Sequence, residues 1–162
     1  MRYATLAAIV IALDQYTKVL ARGLTRTIFA GPLTIIYTEN SGAFLSLGEN
    51  LPAGVRAWLF NVVVGIGLIA LATYLFRHPD VPLTLVLAGG VGNLIDRLRF
   101  SGRVTDFLYL HAGPLHTGVF NVADMAITAG ALWMLGSWFV ERRNDAARQP
   151  LESHEQQHGD NG

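Results

Sequence analysis

Two aspartates, Asp106 and Asp124, stand out in a chain that has few charged residues. Seventeen residues separate them, and neither has an obvious basic partner along the chain. Two carboxylates that are brought together cannot both ionise cheaply, so one keeps a proton while the other can act as a base. A pair of this kind activates water in aspartic proteases. The two residues therefore predict a hydrolytic dyad, provided that the fold brings them together.

Further polar residues occur at helical spacing. Asp14 and Lys18 are four positions apart with the acid first, which is the favourable order for an ion pair on a helix. Asp96 lies near the predicted end of a helix, where the helix dipole opposes a carboxylate. It therefore needs a cation, and Arg97 or Arg99 is the expected source. We interpret Asp96 as a structural residue more than a catalytic one.

The elements that must position these residues are apolar helices. Apolar residues make up 51% of the 162-residue chain and charged residues only 15%, a composition typical of membrane proteins. Each of four apolar stretches is close to the length that a helix needs to cross a bilayer. Ionisable residues inside such spans are costly and indicate function. The predicted spans are Tyr3–Leu20, Ala57–Phe76, Leu83–Leu98 and Val119–Val140.

The rest of the chain forms loops and a tail. Thr27–Tyr37 is rich in β-branched and aromatic residues and is broken by Gly31-Pro32, so it predicts a short hairpin or strand pair. The sequence thus predicts an all-α integral membrane protein with four transmembrane helices and a small β-containing loop region. Residues 1–142 form one domain, and the polar residues 143–162 form a disordered tail. With alternating spans, all the polar residues above fall on one membrane side.

Composition also limits the partners and the chemistry. The formal net charge is zero, so no nucleic-acid partner is expected. The absence of cysteine excludes disulfides and thiolate chemistry. His111 and His116 bracket Gly113-Pro114, but no His-x-x-x-His helix frames them, and we expect neither a metal nor a cofactor. Five basic residues on one side and seven on the other leave the orientation undecided by charge.

Five short segments occur in an order that resembles bacterial lipoprotein signal peptidases, the signal peptidase II family. The resemblance covers about residues 3–140. Two departures are a phenylalanine, Phe44, that directly follows the Asn-x-Gly-Ala segment, and a loop at Phe100–Arg103 that is one residue longer than usual. The segments are Asp14-Gln15-Tyr16-Thr17-Lys18, Asn40-Ser41-Gly42-Ala43, Gly89-Gly90-Val91-Gly92-Asn93-Leu94-Ile95-Asp96-Arg97, Val104-Thr105-Asp106-Phe107 and Phe120-Asn121-Val122-Ala123-Asp124.

This resemblance implies a membrane aspartic endopeptidase with Asp106 and Asp124 as its dyad. The substrates would be diacylglyceryl-modified prolipoproteins, cleaved just before the lipid-modified cysteine. The active site would lie at the outer face of the bacterial cytoplasmic (inner) membrane, with the β-containing loops outside and both termini in the cytoplasm. Membrane lipid would surround a protein that we expect to be a monomer. The resemblance also implies substrate-binding or supporting roles for Asp14, Lys18, Asn40, Gly42, Asn93, Asp96, Arg97, Asn121 and Ala123.

Other functions fit parts of the same pattern. A proton- or ion-coupled transporter also buries carboxylates, but usually near the midplane and often with internal repeats. A serine–lysine peptidase could use Ser41 or Ser46 with Lys18. A non-catalytic membrane scaffold leaves the acidic pair unexplained. The first apolar stretch could instead be a cleaved signal peptide, although Asp14 interrupts it and no small-x-small site follows.

Overall fold

The computed structural model describes residues 1–40 and 52–159, with the backbone alone at 53, 56, 57, 59, 60 and 144–159. Four helices carry a small antiparallel sheet. The elements in chain order are α1 (Arg2–Arg22), β1 (Ile28–Ala30), β2 (Leu33–Asn40), α2 (Ala53–Arg77), α3 (Val81–Arg99), β3 (Val104–Ala112), β4 (Leu115–His116) and α4 (Val122–Gly159).

The helices are long and apolar, as the sequence predicts. In the described residues three helical segments have the length and composition to cross a membrane: Arg2–Arg22, Val81–Arg99 and Val122–Arg143. The described part of α2 adds a shorter apolar segment, Asn61–Arg77. Large apolar side chains along these helices are exposed, among them Ile9, Ile69 and Leu132. Such surfaces are stable only in lipid, which fits a membrane protein.

α3 is the central helix, and its glycines bring the other helices close. A Cβ on Gly89 would overlap the Ala123 carbonyl oxygen of α4. A Cβ on Gly90 would lie 2.5 Å from the Leu68 side chain of α2, and one on Gly92 would lie 2.6 Å from the Asp14 carboxylate of α1. Small residues at such crossings let membrane helices approach closely. Three sides of α3 therefore meet three different helices at nearly the same height.

The predicted strand pair is confirmed, and the structure extends it into a larger sheet. β1 and β2 pair antiparallel around a turn at Gly31, whose φ is 63°. β2 also pairs with β3, and β3 with β4, so the order is β1-β2-β3-β4. A register shift between Ile35 and Thr38 bends β2. Asp106 falls between the third and fourth predicted spans, so the sequence predicts that it lies in a loop; this is wrong, because Asp106 lies in β3, opposite Thr38.

The extra residue in the Phe100–Arg103 connection is taken up by a tight turn. Ser101 and Gly102 have φ values of 53° and 86°, and the Gly102 amide donates to the Arg97 carbonyl. The other departure, Phe44, lies outside the described residues. α4 continues as a helix to Gly159 and includes the polar segment that the sequence predicts to be a tail. The division of the chain at residue 142 stays a prediction.

Candidate active site

One asparagine side chain joins the two aspartates of the predicted dyad. The Asn121 side-chain Nδ2 donates to Asp106 Oδ1 at 2.6 Å. The Asn121 backbone N–H donates to Asp124 Oδ2 at 3.2 Å, while the Asp124 N–H donates back to Asn121 Oδ1 at 2.9 Å. This reciprocal pair is a capping arrangement at the start of α4. Asn121 therefore binds both carboxyl groups, that of Asp106 through its side chain and that of Asp124 through its backbone.

The sheet brings Asp106 to this position. The amides of Phe107 and Leu108 both donate to the Phe120 carbonyl, and the Phe120 amide donates to Leu108. The chain between the two aspartates therefore returns as a hydrogen-bonded hairpin. From the sequence, Gly113, Pro114 and Gly118 indicate a loop between the two aspartates; in the structure Gly113 instead forms a tight β-turn with φ 61° between β3 and β4.

Asn93 links Asp124 to a buried cation. Its Nδ2 donates to Asp124 Oδ1 at 2.8 Å, and its Oδ1 accepts from the Lys18 ammonium at 3.0 Å. Asn121 Nδ2 also lies 3.2 Å from Asn93 Oδ1. Because a cation on its oxygen polarises an amide, Asn93 is a stronger donor to Asp124 than an isolated asparagine would be. The Lys18 ammonium is thus connected to the Asp124 carboxyl group by hydrogen bonds through one side chain, that of Asn93.

Lys18 and Asp14 form the predicted ion pair, at 2.9 Å, and both are fully buried. The Asp14 carboxylate also accepts the backbone N–H of Ala123 at 2.9 Å, in the first turn of α4. A carboxylate is stabilised at a helix N-terminus by the helix dipole and the free amides. Ala123 is completely buried, so a larger side chain would force α4 away from α1 and α3.

Asp96 is fully buried, and its cations are not the ones that the sequence suggested. Its carboxylate forms ion pairs with Lys18 Nζ at 3.4 Å and with Arg22 Nη2 at 3.2 Å. The Arg22 contact is an ion pair by distance and not a hydrogen bond by geometry. The expected partners, Arg97 and Arg99, form no ion pair in the part of the chain that the structure describes. Arg97 directly follows Asp96 and so points to a different side of α3, and Arg99 lies at the exposed end of the helix.

Three supporting residues were missed in the sequence. Gln15 Nε2 donates to Asp14, to the Gly92 carbonyl and to Asp96. The Thr105 backbone N–H donates to Asp96 at 2.9 Å, and its hydroxyl accepts from Arg22 Nε. The signal for Arg22 was present, because it continues the i,i+4 series that begins with Asp14 and Lys18. Gln15 and Thr105 lie inside the motifs, but only the fold gives them partners.

The remaining predicted residues lie around the dyad. Asn40, at the end of β2, donates to Asp106 Oδ2 at 3.1 Å. Arg97 is half-buried and lies close enough to interact electrostatically with Asp124 and Asp106. Gly42 lies outside the described residues. His111 and His116 are cross-strand partners in the β3–β4 hairpin. In the described residues no group of three or more His, Asp or Glu side chains is arranged to hold a metal.

Burial shifts the proton affinity of Asp106. It raises the pKa of this carboxyl from its ordinary value of 3.8 to about 6. Hydrogen bonds donated by Asn40 and Asn121 oppose this rise, whereas the negative charge of Asp124 adds to it. Asp106 is therefore the carboxyl of the pair that holds a proton more easily than an ordinary aspartate does.

These features define a class: a small helical membrane protein with paired aspartates at one end of its bundle. The family model described as signal peptidase (SPase) II matches residues 6–140. The chain therefore belongs to the signal peptidase II family and is a bacterial membrane protease.

Individual relatives match over nearly the whole chain. The lipoprotein signal peptidase of Hydrogenovibrio crunogenus is 36% identical, over 91% of this chain and 92% of that protein. The lipoprotein signal peptidase of Brevibacillus brevis is 34% identical, over 90% and 99%. A solved structure described as a bacterial membrane enzyme, at 2.3 Å resolution, has 26% identity and a TM-score of 0.72, covering 88% of this chain and 90% of that one.

Proposed function

We propose that this chain is an aspartic endopeptidase that removes the signal peptide from diacylglyceryl-modified prolipoproteins, just before the lipid-modified cysteine. The observation that carries the proposal is that one residue, Asn121, donates to both carboxyl groups, to Asp106 through its side chain and to Asp124 through its backbone N–H. Neither carboxyl forms an ion pair with a residue in the described ranges, whereas Asp14 and Asp96 both do. The dyad is thus the acidic pair that is left free for proton transfer.

The surroundings of the two carboxyls assign their roles in the proposed reaction. Burial favours a proton on Asp106. Asp124 receives a donor from Asn93, whose own oxygen accepts from the Lys18 ammonium, and another from the Asn121 backbone. In the proposed reaction Asp106 is therefore the acid, and its partner Asp124 is the base. Asn121 keeps the two groups at a fixed separation throughout the reaction.

Each step of the reaction follows from this assignment. Asp124 takes a proton from a water molecule, and the resulting hydroxide attacks the scissile carbonyl carbon. Asp106 donates its proton to the carbonyl oxygen, which gives a neutral tetrahedral diol. The C–N bond then breaks: Asp124 gives its proton to the leaving nitrogen, and a diol hydroxyl returns a proton to Asp106. The dyad ends in its starting state, and one water has been consumed.

For the membrane arrangement, we propose four spans with the sheet and the dyad at the outer face of the inner membrane and both termini in the cytoplasm. The supporting observation is that the dyad and the sheet both lie at the end of the bundle where α1 ends and α4 begins. The Asp80 turn lies at the opposite end, where its side chain caps α3 through the Leu83 amide at 2.8 Å. The proposal takes the protein to be a monomer.

Lateral entry of the substrate is supported by an apolar groove beside the dyad. A cavity of about 570 Å³ runs along the exposed face of α4 beneath the β3–β4 hairpin. Asp124 lies at one end of it, and its walls include Met125, Thr128, Ala129 and Leu132. Acyl chains remain in lipid because burial is worth about 0.8 kcal/mol per CH₂. A groove open to the bilayer lets them stay there while the peptide reaches the carboxyls.

Cleavage of a lipidated precursor by the purified protein in detergent tests the function. We expect cleavage just before the modified cysteine, and much slower cleavage of the same precursor without its diacylglyceryl group. Mass spectrometry of the two products identifies the cut bond. Equal rates with both precursors would contradict the assignment of lipid-modified substrates, and no cleavage of either would contradict the peptidase itself.

The rate should depend on pH through Asp106. Since the active enzyme needs this carboxyl protonated and its pKa is about 6, kcat/KM should fall as the pH rises above that value. Replacing Asn40 with alanine removes a donor that lowers this pKa, so the falling limb should move to higher pH. The measurement is kcat/KM across the range from about pH 4.5 to 8.5, where carboxyl and histidine groups titrate. A rate that rises through pH 6 and stays high would make Asp106 the base instead.

A serine–lysine mechanism has little support. The Lys18 ammonium has three hydrogens, and three oxygens surround it, from Asp14, Asp96 and Asn93. A lysine base must reach the serine hydroxyl to accept its proton, whereas Lys18 is buried and forms ion pairs with Asp14 and Asp96. Ser41 and Ser46, the serines weighed for this role, lie outside the described residues.

A further inference from the structure

A second cavity lies at the end of the bundle opposite the dyad. Its volume is about 640 Å³, and its walls come from three helices and one turn. Arg77 lies at the end of α2, Leu83 at the start of α3, and Trp138 and Glu141 near the end of the apolar part of α4. Neither the dyad mechanism nor the sequence motifs use these residues. The cavity therefore needs an explanation of its own.

The cavity forms where α2 and α4 remain apart. Among the described residues α2 packs against α3 and not against α4. α3 therefore forms the floor of the cavity, and the other two helices form its walls. Three of the lining side chains, those of Tyr74, Met134 and Trp138, are exposed. A ligand can therefore enter the cavity from the surroundings of the protein.

The cavity lies where the helices leave the hydrocarbon core. The apolar segment of α2 ends at Arg77, that of α3 begins at Val81, and that of α4 ends at Arg143. Such span ends lie in the headgroup layer of a bilayer. Tryptophan is enriched at this level, and the Arg142 guanidinium carbon lies 4.3 Å from the centroid of the Trp138 ring. A molecule that enters from the side is therefore a membrane lipid, with its headgroup beside the polar residues of the cavity.

Two charges of opposite sign line the cavity. The Arg77 and Glu141 side chains form no hydrogen bond or ion pair within the described ranges of the chain. The Asp80 carboxylate, which also lines the cavity, is already used as the cap of α3. His78, beside Arg77, packs against Tyr74 with the ring centroids 4.9 Å apart. The cavity thus offers one cation and one anion to a ligand.

We propose that this cavity binds the headgroup of an ethanolamine phospholipid. Arg77 donates to the phosphate, and Glu141 accepts from the primary ammonium group. Arginine matches the geometry of phosphate oxygens. Wholly basic pockets between helices favour anionic headgroups, but here a second negative charge would lie close to the Glu141 carboxylate. A phosphate joined to an ammonium group satisfies both side chains, and this inference does not depend on the proposed peptidase function.

In this arrangement the lipid connects two helices that do not pack on each other. Its phosphate contacts α2 through Arg77, and its ammonium group contacts α4 through Glu141. The acyl chains extend past the exposed side chains of Tyr74 and Met134 toward the centre of the bilayer. A ligand that binds only the folded state stabilises that state by mass action. The lipid should therefore raise the unfolding temperature of the purified protein.

The test is a lipid titration of the purified, delipidated protein in detergent, followed through its unfolding temperature. Dioctanoyl phosphatidylethanolamine should raise this temperature more than dioctanoyl phosphatidylglycerol or phosphatidylcholine does. Arg77→Gln should weaken the apparent affinity for all three lipids by about 3- to 10-fold, because each loses a charge-assisted hydrogen bond to its phosphate. Glu141→Gln should remove the preference for phosphatidylethanolamine over phosphatidylglycerol. Arg143→Gln, outside the cavity on the same helix as Glu141, is the matched control and should change neither.

Equal shifts with phosphatidylethanolamine and phosphatidylglycerol in the wild type would overturn the inference, as would an unchanged affinity in Arg77→Gln. Phosphoethanolamine without acyl chains should have little effect, and a shift equal to that of the lipid would make the ligand a soluble phosphate compound instead. If the variants do not fold, native mass spectrometry of the wild type from an equal mixture of the three lipids replaces them. Preferential retention of phosphatidylethanolamine supports the inference, and equal retention of all three contradicts it.

Discussion

Replacing either Asp106 or Asp124 with asparagine should lower precursor cleavage by at least about 10²–10⁴-fold, the range typical for loss of a general base or acid. Asparagine keeps the shape of the side chain but cannot exchange a proton at neutral pH. The double variant should be little worse than either single one, because the two carboxyls work as one device. The measurement is kcat/KM with the lipidated precursor. Chelators should have no effect on the wild type.

Stability distinguishes catalysis from folding at Asp106. Its pKa is raised in the folded protein, so the native state resists ionisation of this group. The ionised Asp106 carboxyl therefore lowers the free energy of unfolding above about pH 6. This destabilisation decreases as the pH falls from about 6 toward 3.8. Asp106→Asn removes this cost but replaces one of the two oxygens that accept from Asn40 and Asn121, so its stability at pH 7.5 should be close to that of the wild type.

Asp80→Asn is the matched control for the dyad variants. Asp80 lies at the other end of the bundle, where its carboxylate caps α3. Asparagine caps helices as well as aspartate does, so both stability and cleavage should be near wild type. The dyad assignment is wrong if Asp106→Asn or Asp124→Asn keeps more than about a tenth of the wild-type rate, a loss far below the general-base range.

Replacing Lys18 with methionine should have the largest effect on stability. Lys18 and Arg22 balance the charges of Asp14 and Asp96, and all but Arg22 are fully buried. Removing one member of a buried ion pair leaves an uncompensated charge and costs about 3–5 kcal/mol. Asn93 would also lose the cation on its oxygen, so cleavage should fall as well. Thermal unfolding in detergent and yield in the membrane are the measurements.

A second substitution tests the cause of this loss. Adding Asp14→Asn to Lys18→Met returns the cluster to zero net charge, and asparagine can still accept the Ala123 amide. The double variant should therefore be more stable than Lys18→Met alone. Arg103→Met, which breaks the exposed ion pair with Glu39, should change the unfolding temperature little. Equal stability of the single and double Lys18 variants would show that packing, and not charge, explains the loss.

The sequence by itself determined the apolar helices, the β1–β2 hairpin and the residues of the polar cluster. Long apolar runs have one stable solution in a bilayer, because every backbone group in a span must be hydrogen-bonded within it. The Asp14–Lys18 pair was predictable as well, since i,i+4 spacing on one helix fixes the neighbours. The five motifs in order added the family, which the match over residues 6–140 confirms.

Only the tertiary structure decided which groups meet across elements. Asp96 pairs with Lys18 and Arg22 of α1, and not with its neighbours in sequence, because helix packing sets such contacts. Asp106 lies in a strand because β3 forms hydrogen bonds with β2 and with residues 115–120. β2 is far away along the chain, and residues 115–120 have no clear strand pattern in the sequence.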